Sequence, residues 1–233
     1  MGQWQLRRRL RNGLAASVQY TLSKAMDNAP AFTGVNLAGG TIAQDWRDLN
    51  AEQAPSSFDQ RHQVVAQFQY TTGLGLGGGA LIDGMKGMLF KGWTVTSQLT
   101  TGSGMPFTPV YLAPVAGTGV TGSLRPSLTG ASLAAPTGYY LNPAAYTVPA
   151  PGQWGNVGRN SVTGPAQFSL DAAVARTFQW TQRLTLDWRI DATNVLNREI
   201  FPSVNAILDN PQFGLPTGTN TPRKLTSTMR LRF

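Results

Sequence analysis

The chain has 233 residues, no cysteine, a formal charge of +8, and only 13% charged against 41% apolar residues. Without cysteine, disulfides, thiolate catalysis and cysteine metal sites are excluded, and 26 glycines with 15 prolines favour turns and strands over helices. No apolar run reaches the ~18 residues of a membrane-crossing helix. The most hydrophobic stretch, 79–90, is broken by Asp83 and Lys86, so if a membrane is involved a closed barrel is the route.

The amino terminus, MGQWQLRRRLRNG, has no apolar h-region, and a signal peptide is not expected within it. Trp4, Leu6 and Leu10 share one parity and Gln3, Gln5, Arg7 and Arg9 the other, with Arg8 out of place. That is a strand near 3–10. The cluster Arg7, Arg8, Arg9 and Arg11 belongs to this pattern and has no aromatic platform beside it, so no nucleic-acid partner is expected. Asn12-Gly13 is a hairpin dipeptide, after which Leu14, Ala16, Val18, Tyr20 and Leu22 resume the alternation near 14–23.

From Ser23 to Gln60 alternation is lost and a long loop is expected. A third strand, near 62–70, sets His62, Val64, Ala66, Phe68 and Tyr70 against Gln63, Gln67 and Gln69. The Gly-rich stretch from Thr71 to Lys91 leads to a fourth strand near 92–101, with Trp93, Val95 and Leu99 on one side. A second, much longer loop runs from Gly102 to Gln167. Phe168, Leu170, Ala172, Val174 and Phe178 then mark a strand near 167–178, turning at about Thr181-Gln182. The strictest alternation is near 183–193, where Leu184, Leu186, Trp188, Ile190 and Ala192 oppose Arg183, Thr185, Asp187, Arg189, Asp191 and Thr193. After a third long loop, Asn194 to Arg223, the closing strand near 224–233 sets Leu225, Met229, Leu231 and Phe233 against Lys224, Thr226, Thr228, Arg230 and Arg232.

All long connections fall at one end of these strands and all shorter ones at the other. One face is apolar with aromatics near strand ends, and the other carries Gln, Thr, Arg and Asp. This is the pattern of an outer-membrane barrel, with long extracellular loops, short periplasmic turns and a wet lumen. The expected fold is all-β: an antiparallel transmembrane β-barrel segment of about seven strands. The bacterial cell outer membrane is the expected location, and its lipid an expected partner.

Several stretches, in order, resemble the carboxy-terminal part of the barrel of TonB-dependent outer-membrane receptors, particularly the Oar-like group that often carries a carboxypeptidase-regulatory-like amino-terminal domain. They are residues 20–28 (YTLSKAMDN), 58–62 (FDQRH), Gly92-Trp93, 102–108 (GSGMPFT), 142–146 (NPAAY), 155–160 (GNVGRN), Gly164-Pro165, 191–197 (DATNVLN) and the final Phe233. The resemblance covers nearly all of 1–233. It implies a 22-stranded barrel, plugged by an amino-terminal domain and energised for uptake of a bulky ligand. The chain is therefore expected to be a partial barrel, with plug, signal peptide and coupling segment missing from it and the remaining strands and plug supplied on another chain or segment. The resemblance also makes Met229, Leu231 and Phe233 an assembly signal for the barrel-assembly machinery. Alternative readings are a structural or adhesive surface β-protein, or a soluble β-sandwich binding module.

Little in the sequence points to catalysis. His62 is the only histidine, three residues after Asp59 and without a G-x-S-x-G motif, so no enzyme activity and no catalytic residue are expected. Asp171, Asp187 and Asp191 share a parity with Arg183 and Arg189 and are expected to make lumenal ion pairs. Asp45, Asp48, Glu52 and Asp59 lie in one loop without a calcium-loop pattern, and the glycines of 73–79 lack the helix and acidic residue of a dinucleotide site. No metal and no cofactor are expected. Candidate ligand-contacting loop aromatics are Trp46, Phe107, Tyr111, Tyr139, Tyr140, Tyr146 and Trp154.

Overall fold

The computed structural model describes residues 1–28, 43–45, 47–73, 90–119, 124–181 and 183–233. Trp46, Gln182 and most of the Gly-rich 73–79 run lie outside the described residues. Seven strands form one antiparallel sheet in sequence order. They are β1 (Gly2–Arg11), β2 (Leu14–Leu22), β3 (His62–Thr71), β4 (Trp93–Gly102), β5 (Gln167–Gln179), β6 (Thr185–Thr193) and β7 (Lys224–Arg232). The strand expected from 183 starts at Thr185, because Trp180 and Thr181 spend their backbone N–H groups on the Leu184 carbonyl to close the turn. No second sheet of comparable size packs on this one among the described residues, which departs from the sandwich alternative.

Local chemistry explains the hairpins. Asn12 and Gly13 have φ of 56° and 75°, so both central residues are left-handed, as a two-residue turn matched to strand twist requires. Just before it the register shifts between Arg8 and Arg11, which face Ala16 and Leu14. Two residues of β1 therefore stand against Ala15 alone, a bulge that ends the simple parity read for the first strand. Arg8 belongs to the apolar face, on the row of Ala16, Phe68 and Ser97.

The hydrophobic core is not in the sheet. The buried apolar cluster consists of Leu141, Ala145, Tyr146, Val157 and Phe213, all from the long connections. On the apolar face of the sheet, by contrast, Leu6 is 76% and Met229 67% exposed, and Trp4, Val18, Phe68, Leu225 and Leu231 are exposed as well. A water-soluble fold would invert this arrangement; an uncovered apolar face of this extent marks contact with something apolar.

The long connections are themselves folded. Two-residue ladders pair Met26–Asp27 with Ala54–Pro55, Pro106–Phe107 with Val162–Thr163, Ser127–Leu128 with Tyr146–Thr147, and Ser203–Val204 with Pro216–Thr217. They make a packed layer over one end of the sheet. Both β1 and β7 start at that loop end, so the two edges of the sheet, unpaired among the described residues, run in the same direction.

Candidate functional site

The sheet presents two different surfaces, and pairing register carries each across the strands. On the polar side one row reads Arg7, Ser17, Gln67, Gln98, Asp171. The next reads Ala15, Gln69, Thr96, Ala173, Asp191, Thr226. These rows line a hollow of about 770 Å³ to which β1 through β6 all contribute. The polar face is thus the concave one, and amide and hydroxyl groups dominate it.

The expected acid–base partners sit differently within this face. Arg189 pairs with Asp191 two residues along its own strand, at 2.6 Å, and Asp187 pairs with Arg232 of β7. Asp187 also accepts from the Thr177 hydroxyl at 2.6 Å. Asp171 accepts the backbone N–H of Asn194 at 3.0 Å and fixes the exit of β6. Arg183, expected among these pairs, is an exposed turn residue outside the sheet. Arg7 stands opposite Ser17, with no carboxylate facing it across β1 and β2.

The apolar side carries aromatics at both ends. At the loop end Trp4 stacks on Tyr20 (5.5 Å between centroids), and Tyr20 on His62 (6.2 Å). At the turn end Trp93 meets Phe178 and Trp188 edge-on at 6.3 and 5.8 Å, and the Arg176 guanidinium lies 4.6 Å from the Phe178 ring centre. From Phe168 to Phe178 one strand runs about 33 Å at ~3.3 Å per residue. Tilted by about 40°, that is ~25 Å of height, the thickness of the apolar band of a transmembrane barrel. Leu170, Ala172 and Val174 fill the interval on the same parity.

His62 and Asp59 do not form a dyad. Nδ1 of His62 lies 2.8 Å from the Tyr20 hydroxyl, while Oδ1 of Asp59 accepts the Ala25 N–H at 2.6 Å. The other acidic loop residues also go to separate partners. Asp45 binds Arg47, Asp48 caps the 3-10 turn Leu49–Glu52, and Glu52 is 2% exposed in an ion pair with Arg125 at 2.6 Å.

That last pair is the centre of a network joining the first two long loops. Oε1 of Glu52 accepts from the Gln44 backbone (3.0 Å), and the Gln44 side chain donates to the Gly155 carbonyl (2.8 Å) and accepts from Arg125 N (2.9 Å). Arg159 donates through Nε to the Glu52 carbonyl (2.8 Å) and pairs with Asp27. Only glycine fits at 155, where a Cβ would stand 1.9 Å from the Arg125 carbonyl oxygen. Burial pushes the Asp27 carboxyl up, but hydrogen bonds from Ser56 and Arg159, with the Arg159 charge, outweigh it and hold the group below its usual range. Its contribution is therefore complete above the ordinary carboxylate pKa and is lost only as pH falls through the depressed value.

These contacts account for the sequence stretches singled out above. Asp27, Asp59, Gly155, Arg159 and Asn160 build the loop layer, and Asn160 exchanges two hydrogen bonds with the Thr108 hydroxyl while donating to the Pro55 carbonyl. Asn142 caps the turn Pro143–Ala145, and Asn194 ties Arg198 and Thr221 to the end of β6. Glu52, Gln44 and Arg125 carried no motif signal, since apart from the Gln44–Glu52 contact their partners lie 73 to 111 residues away in sequence.

The candidate ligand aromatics separate accordingly. Tyr146 is 8% exposed and packs edge-on against Phe213, and Phe107 packs on the same cluster, so both are spent on the loop core. Tyr111 and Trp154 are half-buried, whereas Tyr139 and Tyr140 are exposed beside a second hollow. Met229, Leu231 and Phe233 stay exposed on the last strand and at its end.

No curated protein and no solved structure matches the chain. A family model described as an outer membrane beta barrel domain matches residues 2–226, which takes in β1 to β6, the loop layer and the first three residues of β7. The chain belongs to the outer-membrane β-barrel domain family and resides in the bacterial outer membrane.

Proposed function

We propose that this chain forms the carboxy-terminal part of the barrel of a TonB-dependent, Oar-like receptor that takes up a bulky ligand and carries out no chemistry on it. The observation that supports this reading is the direction of the two open edges. β1 and β7 run the same way, so antiparallel closure needs an odd number of further strands between them, on this polypeptide or another. Leaving those edges unpaired in lipid costs several kcal/mol per backbone group.

A wall of more than seven strands also suits the lumen. Barrels of about eight strands are filled by their own side chains, whereas larger ones enclose a channel or a plug. The polar hollow and the folded loop layer above it suit the second kind, with Tyr111 and Trp154 as loop aromatics still able to meet a ligand. Met229, Leu231 and Phe233 act, in this reading, as the signal taken up by the barrel-assembly machinery.

An antibody against residues 127–163, applied to outer-membrane fractions, tests the proposal. The segment is expected with a plug domain, on one polypeptide or as a co-purifying chain, and loss of the inner-membrane energiser is expected to stop ligand uptake. A 25.0 kDa product with no plug companion contradicts active uptake.

A further inference from the structure

We propose that the second hollow, on the apolar side of the wall at its loop end, binds a membrane amphiphile whose headgroup carries both a phosphate and an amine. The cavity measures about 440 Å³ and is bordered by Tyr139, Tyr140, Phe168, Arg198, Glu199 and Phe201. Phe168 is its link to the membrane. It shares a row with Thr101, Val64, Tyr20 and Trp4, the loop-end aromatic belt of the apolar face, and so lies where lipid headgroups meet acyl chains.

Arg198 is held for such a partner. Its backbone N–H donates to Asn194 Oδ1 at 3.0 Å, and its carbonyl accepts from Asn194 Nδ2 at 3.1 Å and Asn220 Nδ2 at 2.9 Å. The main chain is thereby pinned on three sides. The guanidinium lies 5.0 Å from the Phe168 ring centre and makes no ion pair with a described residue. Stacking of this kind leaves the donor edge of the fork free, and phosphate is the anion that matches it.

Glu199 supplies the opposite charge in the same cavity, again without an ion pair among the described residues. With the exposed faces of Tyr139 and Phe201 it makes a place for an ammonium group. A purely anionic lipid would meet the Glu199 charge, and an uncharged diacylglycerol would leave both residues unpaired while covering them. A zwitterionic headgroup satisfies both at once. The Tyr140 hydroxyl donates to the Thr163 carbonyl at 2.8 Å and keeps that wall in place.

The test uses the full-length protein extracted from outer membranes in non-ionic detergent, with native mass spectrometry reading bound lipid. Phosphatidylethanolamine, used as a probe of the phosphate-and-amine headgroup, should be retained in preference to phosphatidylglycerol, and diacylglycerol least. Arg198→Ala should weaken phosphatidylethanolamine binding about tenfold, the scale of one charge-assisted hydrogen-bond pair. Glu199→Gln should remove the preference for the amine headgroup while phosphate-bearing lipids stay bound. Both side chains are exposed, and the electrophoretic shift of the unheated protein checks that each variant is folded. Equal retention of diacylglycerol, or unchanged binding by a folded Arg198→Ala variant, would overturn the site. Displacement of the lipid by micromolar water-soluble phosphoethanolamine would overturn its assignment to a membrane lipid.

Discussion

Replacing Glu52 with Ala is expected to destabilise the loop layer by about 3–5 kcal/mol, the scale of removing one partner from a buried ion pair. The reason is what remains behind. Arg125 and Arg159 have side chains 11% exposed, and both face the Glu52 carboxylate, Arg125 at 2.6 Å and Arg159 Nε at 4.0 Å. Without it the Arg125 charge stays buried with no counter-ion, while Arg159 keeps Asp27. Arg125 Nε already lacks a partner among the described residues and would have less to offset it. Gln44 N would lose its acceptor as well. Glu52→Gln keeps the shape and loses the charge, so it should fall between wild type and Ala. Trypsin cleavage at Arg125 and Arg159 in outer-membrane vesicles reads the effect. Faster cleavage there with an intact sheet is the expected result, and unchanged protection would show that the network is not what holds the loops.

The second large effect concerns the end of the chain. Deleting Phe233, or replacing it with Asp, is expected to remove most of the membrane-inserted protein, because under the proposed assembly role the closing strand would no longer be recognised. Phe233 is 99% exposed and Leu225, Met229 and Leu231 are exposed on the strand before it, so this apolar stripe contributes almost nothing to packing within the chain. A loss of inserted protein would therefore point to recognition and not to a weakened core. Phe233→Tyr, which keeps the ring, should insert normally. Undiminished insertion of the Asp variant would refute the assembly role.

The strands were legible because each lies between two media and must alternate, a signal written into every residue. β6 is the clearest case, with Ile190 and Trp188 on one side and Arg189 and Asp191 on the other. The bulge between Arg8 and Arg11 was not legible, since an extra residue against Ala15 is decided by pairing and not by composition. Ion pairs were legible only as a set of charges on one face. That Arg189 would choose Asp191 on its own strand, and Asp187 would choose Arg232, depended on side-chain reach across a register the sequence does not state.

The loops were the least legible part, for a physical reason. Their order comes from polar contacts between residues as many as 132 positions apart, with no periodicity to announce them. The segments around Asp27, Gly155 and Asn160, which carry the family resemblance, gave no sign in the sequence of what their side chains do. Contacts show that these residues fold the loop layer, and aromatics such as Tyr146 and Phe107 that suggested ligand binding are used there too. The hollow beside Arg198 has no signature in the sequence because its walls come from five separate segments.

The central claim is that the sheet is a membrane wall with lipid on one face and water on the other. The chain has no native cysteine, so single cysteines can be placed along β5 and spin-labelled in the membrane-inserted protein. Labels at Leu170, Ala172 and Val174 should be relaxed by oxygen and shielded from a water-soluble nickel complex, and labels at Asp171, Ala173 and Ala175 should show the reverse. Equal access of the nickel complex to both sets would contradict the account.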